Sequence, residues 1–211
     1  MKNIFKKPPK VFCIGQNKTG TTSMGELLRS LGYKLAPQAP AEMMIDDWAK
    51  RDFSKIVKFC KKYDAFQDIP FSLPYTYQAL DSAFPDSKFI LTVRSSPEEW
   101  FDSLLRFTKK RLGLNRQPEW SDLENDPYRF KGFTGKVSKI IYGPNTNLFD
   151  KCEYIKSYII HNEIVENYFI FRPKNFLRVN LASSDCLEEI LGFLGHPEKS
   201  TNTALPHLNK S

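Results

Sequence analysis

Short apolar runs alternate with segments whose apolar residues recur at helical spacing, and this alternation organises the chain. VFCIG, from Val11 to Gly15, is a continuous apolar run of the kind that forms a strand buried on both faces. Met24, Leu27, Leu28 and Leu31 then fall at i, i+3, i+4 and i+7, one face of a helix that Gly32 closes. A mixed stretch leads to a helix predicted around Phe53 to Tyr63, a short strand DAFQD ending at Asp68, and a helix around Pro74 to Phe84. KFILTV, Lys88 to Val93, is the second clear buried run. Beyond it the pattern predicts helix over Leu148 to Phe171, a strand NFLRVNL, and an amphipathic helix from Ser184 to Leu194 with Leu187, Ile190, Leu191 and Leu194 on one face.

Strands that alternate with helices imply right-handed crossovers and a largely parallel sheet. The expected fold is therefore α/β, doubly wound, with ligands at the C-terminal strand ends. A chain of 211 residues suits one domain, here 11–211, behind a flexible basic lead-in over 1–10. The Pro-, Asn- and Asp-rich segment 114–127 reads as a long loop or lid. The tail 196–211 has no periodicity, so it is either without fixed structure or draped over a site.

Composition narrows the function classes. Apolar content of 41% and charged content of 26% are ordinary for a globular protein. No apolar run approaches the roughly 18 residues of a membrane span, and the N-terminus lacks an apolar signal core, so a cytoplasmic protein is expected. Cys13, Cys60, Cys152 and Cys186 are scattered, as are His161, His196 and His207, which gives a metal site little support. The net charge of +7 is uneven, gathered in Lys2, Lys6, Lys7 and Lys10 and again in Arg106, Lys109, Lys110, Arg111 and Arg116. Such runs are solvated faces or attract an anionic ligand. The aromatic pattern of an RNA-binding sheet is missing, and no nucleic-acid partner is expected.

Two stretches carry chemistry. GQNKTGTTS, Gly15 to Ser23, has the glycine spacing of a nucleoside-triphosphate loop, G-x-x-x-x-G-K-[ST], but its lysine is Lys18, inside the loop. Backbone N–H groups of Gly20 to Ser23 would open a helix, where unpaired donors and the dipole attract anions. Lys18 adds a full charge, and Thr21, Thr22 and Ser23 add hydroxyls. The second stretch is RSSPEEWFDS after the Lys88 to Val93 strand. Ser96, Pro97 and Glu99 make a strong helix start, and Arg94 with Ser103 could grip a second phosphate.

Together these stretches resemble the P-loop sulfotransferases, which use 3'-phosphoadenosine 5'-phosphosulfate. That family's 5'-phosphosulfate loop reads K-[ST]-G-T-[TS], and Lys18, Thr19, Gly20, Thr21 and Thr22 match it. Its 3'-phosphate motif pairs a strand-end arginine with a serine eight or so residues on; Arg94 and Ser103 match at a spacing of nine. The resemblance covers most of the chain and is strongest over 11–32 and 68–107. It extends to LEEILGFLG and the terminal P-H-x-N, Pro206 to Asn209.

The resemblance implies a P-loop sulfotransferase fold and sulfuryl transfer to an acceptor hydroxyl or amine, with no metal and with adenosine 3',5'-bisphosphate as product. Lys18 would stabilise the departing phosphate, with Thr19 to Ser23, Arg94 and Ser103 holding the nucleotide. F-Q-D-I-P puts Asp68 where aryl and steroid members carry the histidine base of K-T-H-x-P, and Phe66 where they carry lysine. The tail residues His207 and Asn209 would fold over the nucleotide, as C-terminal loops do in this family. His161 is expected to pack or to make a hydrogen bond from its helix face, and Trp100, Phe101 and Phe107 to lie in the core. A kinase or NTPase with an unusual loop, or a non-catalytic anion-binding module, are the alternatives. The acceptor, whether carbohydrate, lipid or small molecule, is not legible in the sequence.

Overall fold

In the computed structural model, which describes residues 8–197, the predicted alternation is realised as four strands and ten helices. The strands are β1 (Val11–Cys13), β2 (Ala65–Phe66), β3 (Lys88–Val93) and β4 (Phe176–Asn180). They form one all-parallel sheet in the order β2-β1-β3-β4. The first helices are α1 (Thr21–Ser30), α2 (Gln38–Glu42), α3 (Ile45–Ala49), α4 (Ser54–Cys60) and α5 (Thr76–Ala83). They are followed by α6 (Pro97–Leu112), α7 (Trp120–Asn125), α8 (Phe133–Tyr142), α9 (Lys151–Phe169) and α10 (Cys186–Leu194). No helix among the described residues is long and apolar enough to cross a membrane.

Alternation along each strand sends side chains to two cores, and helices cover both faces, which makes the sheet doubly wound. Phe12, Ile14, Phe66, Phe89 and Leu91 pack with α4, α5 and the C-terminal half of α9. Val11, Cys13, Ala65, Ile90 and Val179 pack against α1 and α10 on the other face. A third cluster, built on Trp100, Phe101 and Tyr158, joins α6 to α9.

The sequence pattern missed a helix in 114–127. Trp120–Asn125 forms α7, started by a capping box in which the side chains of Glu119 and Asp122 reciprocally bind backbone N–H groups. The helical stretch expected over Leu148 to Phe171 begins only at Lys151, because the Asp150 side chain caps it by accepting from Glu153 N. Tyr75, with φ of 66°, bars α5 from beginning at Pro74. His207, Asn209 and the rest of the tail from 198 onward lie outside the described residues, as does the lead-in up to residue 7.

Beta1 and β3 are adjacent, and at their C-terminal ends the backbone of the glycine loop passes against β3. A Cβ on Gly15 would meet the Thr92 carbonyl oxygen and hydroxyl at 2.3 Å, so only glycine fits. Gly15→Ala is expected to destabilise the protein by about 1–3 kcal/mol through overpacking. Thermal denaturation checks this, at about 2–4 °C of Tm per kcal/mol for a chain of this size. An unchanged Tm would mean the loop can retreat from β3 freely.

Candidate active site

The loop between β1 and α1 is held from three elements. The Thr19 hydroxyl lies 2.6 Å from that of Thr92 on β3 and donates to Gln16 O. Arg94 Nε, just past β3, donates to Lys18 O at 2.6 Å, and Trp100 Nε1 of α6 donates to Asn17 O at 3.0 Å. From α9, His161 Nε2 donates to Ile14 O at 3.0 Å, the only role open to a nitrogen facing a carbonyl. Burial depresses the His161 pKa, and the Ile14 contact only partly offsets it. His161 therefore acts as the neutral helix-to-loop hydrogen bond expected of it.

At the loop's end Gly20, with φ of 97°, is the N-cap of α1 and offers no side-chain cap. No N-cap side chain therefore covers the positive end of the α1 dipole, which attracts anions. Lys18 also has a positive φ, 70°, and its Nζ lies 3.9 Å from the centre of the Phe107 ring. Burial lowers the Lys18 pKa most, and the nearby cations Arg94, Arg106 and Lys110 lower it further against the opposing pull of Asp68. Those cations mark a locally positive field suited to an anion. The basic run from Arg106 to Arg116 accordingly divides. Arg106 and Lys110 act on Lys18, whereas Arg111 pairs with Asp126 and Arg116 with Asp122.

Arg94 and Ser103 come together as the sequence predicts. Arg94 Nη2 donates to Ser103 Oγ at 3.4 Å, while Nη1 meets Glu99 at 3.1 Å. Ser96 caps α6 by accepting from Glu99 N at 3.0 Å. The Glu99 carboxylate, however, turns back to Ser95 N rather than to Ser96.

A cleft of about 770 Å³ opens beside the loop, and Lys18, Gly20, Thr21, Thr22, Arg94 and Asp68 line it. Thr19, Ser23 and Ser103 are buried behind that surface, with Ser103 only 1% exposed. Their side chains support the wall, with Thr19 tying the loop to β3 and Ser103 backing Arg94. Phe107 is not core. It is 39% exposed, lines the cleft and carries the Lys18 ammonium on its ring. Its place one turn beyond Ser103 on α6 is a signal that could have found it.

Asp68 lies just after β2, with φ of 57°, a conformation that aspartate tolerates better than most residues. Its Oδ1 accepts from Thr21 Oγ1 and its Oδ2 from Gln38 Nε2, each at 3.2 Å. Burial pushes its pKa from 3.8 up to about 6; the Thr21 bond opposes this, nearby Glu42 adds to it, and Lys18 subtracts. The same Gln38 amide donates to Glu42 at 2.7 Å. Glu42 is buried and takes further bonds from Arg129 and from the Tyr128 hydroxyl at 3.2 Å. Burial, then the Glu42 charge, raises the Tyr128 pKa to about 12, so its hydroxyl keeps its proton and donates. No local signal marks the Gln38–Glu42–Arg129 chain, because Arg129 comes to Glu42 from 87 positions away. Phe66, at the position of the family lysine, is buried in the sheet.

A loop and helix N-terminus suited to an anion thus lie beside a carboxyl whose pKa burial raises to about 6. No group of His, Cys, Asp and Glu among the described residues could hold a metal ion. No curated protein matches the chain. The family model described as a sulfotransferase domain matches residues 10–211, and the chain belongs to that family.

Proposed function

We propose that the protein transfers a sulfuryl group from 3'-phosphoadenosine 5'-phosphosulfate to an acceptor hydroxyl or amine. The observation that carries this reading is the convergence of Lys18, the N-terminus of α1 and Arg94 on a single cleft with Asp68 hydrogen-bonded to Thr21. The loop N–H groups and Thr22 take the 5'-phosphosulfate, and Arg94, backed by Ser103, takes the 3'-phosphate. Asp68 accepts the acceptor's proton as its oxygen or nitrogen attacks sulfur. The bond from sulfur to the bridging oxygen breaks in line, and the departing 5'-phosphate takes the electron pair. Lys18 meets the charge that grows on that phosphate. Thr21, bonded to Asp68, keeps the base next to the donor loop.

Titration calorimetry with adenosine 3',5'-bisphosphate tests the donor assignment, and no binding heat at millimolar nucleotide would end it. Arg94→Ala is expected to weaken that binding roughly 10- to 100-fold, the value of a charge-assisted contact. Arg94→Lys keeps the charge without the fork that reaches Lys18 O, Glu99 and Ser103, and recovers only part of the loss. An Arg94→Ala protein that binds the bisphosphate as tightly as wild type would remove Arg94 from the 3'-phosphate site.

A further inference from the structure

The part of the cleft wall drawn from residues 38–77 carries two acids, Glu42 and Asp68, and one cation, Arg51. Glu42 is matched by Arg129. Arg51 has no carboxylate within ion-pair distance among the described residues. Its guanidinium carbon lies instead 4.5 Å from the centre of the Trp48 ring and 4.5 Å from that of Tyr75. Trp48 is fixed in turn by its Nε1, which donates to Pro74 O at 3.0 Å.

The backbone supports a purpose for this arrangement. Arg51 and Tyr75 have φ of 59° and 66°, a region few non-glycine residues enter, and strain of this kind gathers where side chains are held for a ligand. Aromatic contact covers the faces of a guanidinium and leaves its N–H edges free, an outline that fits a planar carboxylate in a two-point contact. One guanidinium suits one monoanionic group. Tyr75, Tyr77, Tyr128 and Phe133 line the same cleft and suit a flat apolar body between that group and the reacting hydroxyl.

We propose that Arg51 is a specificity-determining residue that binds the carboxylate of a hydroxylated aromatic acid, the acceptor whose hydroxyl meets Asp68. This rests on the sulfuryl-transfer reading, and the test separates the two. The protein is first saturated with adenosine 3',5'-bisphosphate, then titrated with 3-(4-hydroxyphenyl)propanoate and, separately, with its uncharged methyl ester. Wild type is expected to bind the acid about tenfold or more tightly than the ester, in line with one charge-assisted contact. Arg51→Gln should abolish that preference while leaving ester and bisphosphate affinity in place, and Arg51→Lys should restore part of it. Equal affinities, no binding of the acid at millimolar concentration, or a preference that survives Arg51→Gln each overturn the proposal. Failure of the bisphosphate to bind removes the sulfuryl-transfer reading, and this proposal with it; bound bisphosphate without an acid preference removes Arg51's role alone.

Discussion

Lys18→Ala is expected to lower sulfuryl transfer by roughly 10³-fold, the upper range for removing one group aimed at developing charge. Nucleotide affinity should fall much less, because the α1 first turn and Arg94 remain. The fold should persist: the Lys18 ammonium lies on the Phe107 ring, and the contact that holds the loop, from Arg94 Nε, is to the Lys18 backbone carbonyl. Burial among Arg94, Arg106 and Lys110 already lowers the Lys18 pKa, so removing this charge also removes its desolvation. Single-turnover rates with labelled donor, read beside bisphosphate affinity and Tm, check this. Transfer at the wild-type rate would show that Lys18 does not meet the leaving phosphate. Lys18→Met, which keeps an unbranched apolar stem on Phe107, separates charge from packing.

Asp68→Asn is the second large effect, a loss of roughly 10²–10⁴-fold in transfer, the usual contribution of a positioned base. Asparagine can accept the Thr21 hydrogen bond through Oδ1 and tolerates the positive φ, while its Nδ2 forfeits the bond that Asp68 Oδ2 takes from Gln38. With the carboxyl pKa raised from 3.8 to about 6, wild-type kcat/KM should fall as pH drops through about 6 and Asp68 takes up its proton. The mutant should lack that limb. Stability runs the opposite way, because a carboxyl with a raised pKa binds its proton more tightly when folded. Its stabilising contribution is complete below 3.8 and is lost as pH rises through about 6. At neutral pH the relief of the buried charge offsets the lost Gln38 bond, so Asp68→Asn should melt near the wild-type temperature while losing activity. A mutant that transfers normally, or a wild type whose rate is flat across pH 6, would remove Asp68 as the base.

The residues that made the fold legible are those whose partners lie close in sequence. KFILTV became β3 with the expected bounds, and the loop from Gly15 to Ser23 joins β1 to α1 because strand, glycine turn and amphipathic helix are each local signals. Arg94 and Ser103 were legible for the same reason, being separated only by the start of one helix. The acceptor side was not. Glu42 meets Arg129 from 87 positions away, and Arg51 meets Tyr75 across α4 and β2, the two residues each having a positive φ that no periodicity announces. Alpha7 escaped notice because its start depends on reciprocal bonds between Glu119 and Asp122, set in a run rich in turn-forming residues. Phe107 was misplaced because a large aromatic residue on an amphipathic helix suits a core as well as it suits a bound ammonium.

The hydroxyl contact between Thr19 and Thr92 bears on how a nucleotide is received. With the loop fastened to β3, its conformational entropy is lost when the chain folds and not when the ligand arrives. On the proposed reading the loop would then meet its nucleotide as a rigid mould, and more of the interaction with the phosphates would remain as affinity. Thr92→Val would leave the strand intact while removing one of the loop's fastenings and loosening its Thr19 end. Its signature should be thermodynamic, with bisphosphate binding acquiring a more adverse entropy at little cost in contact enthalpy.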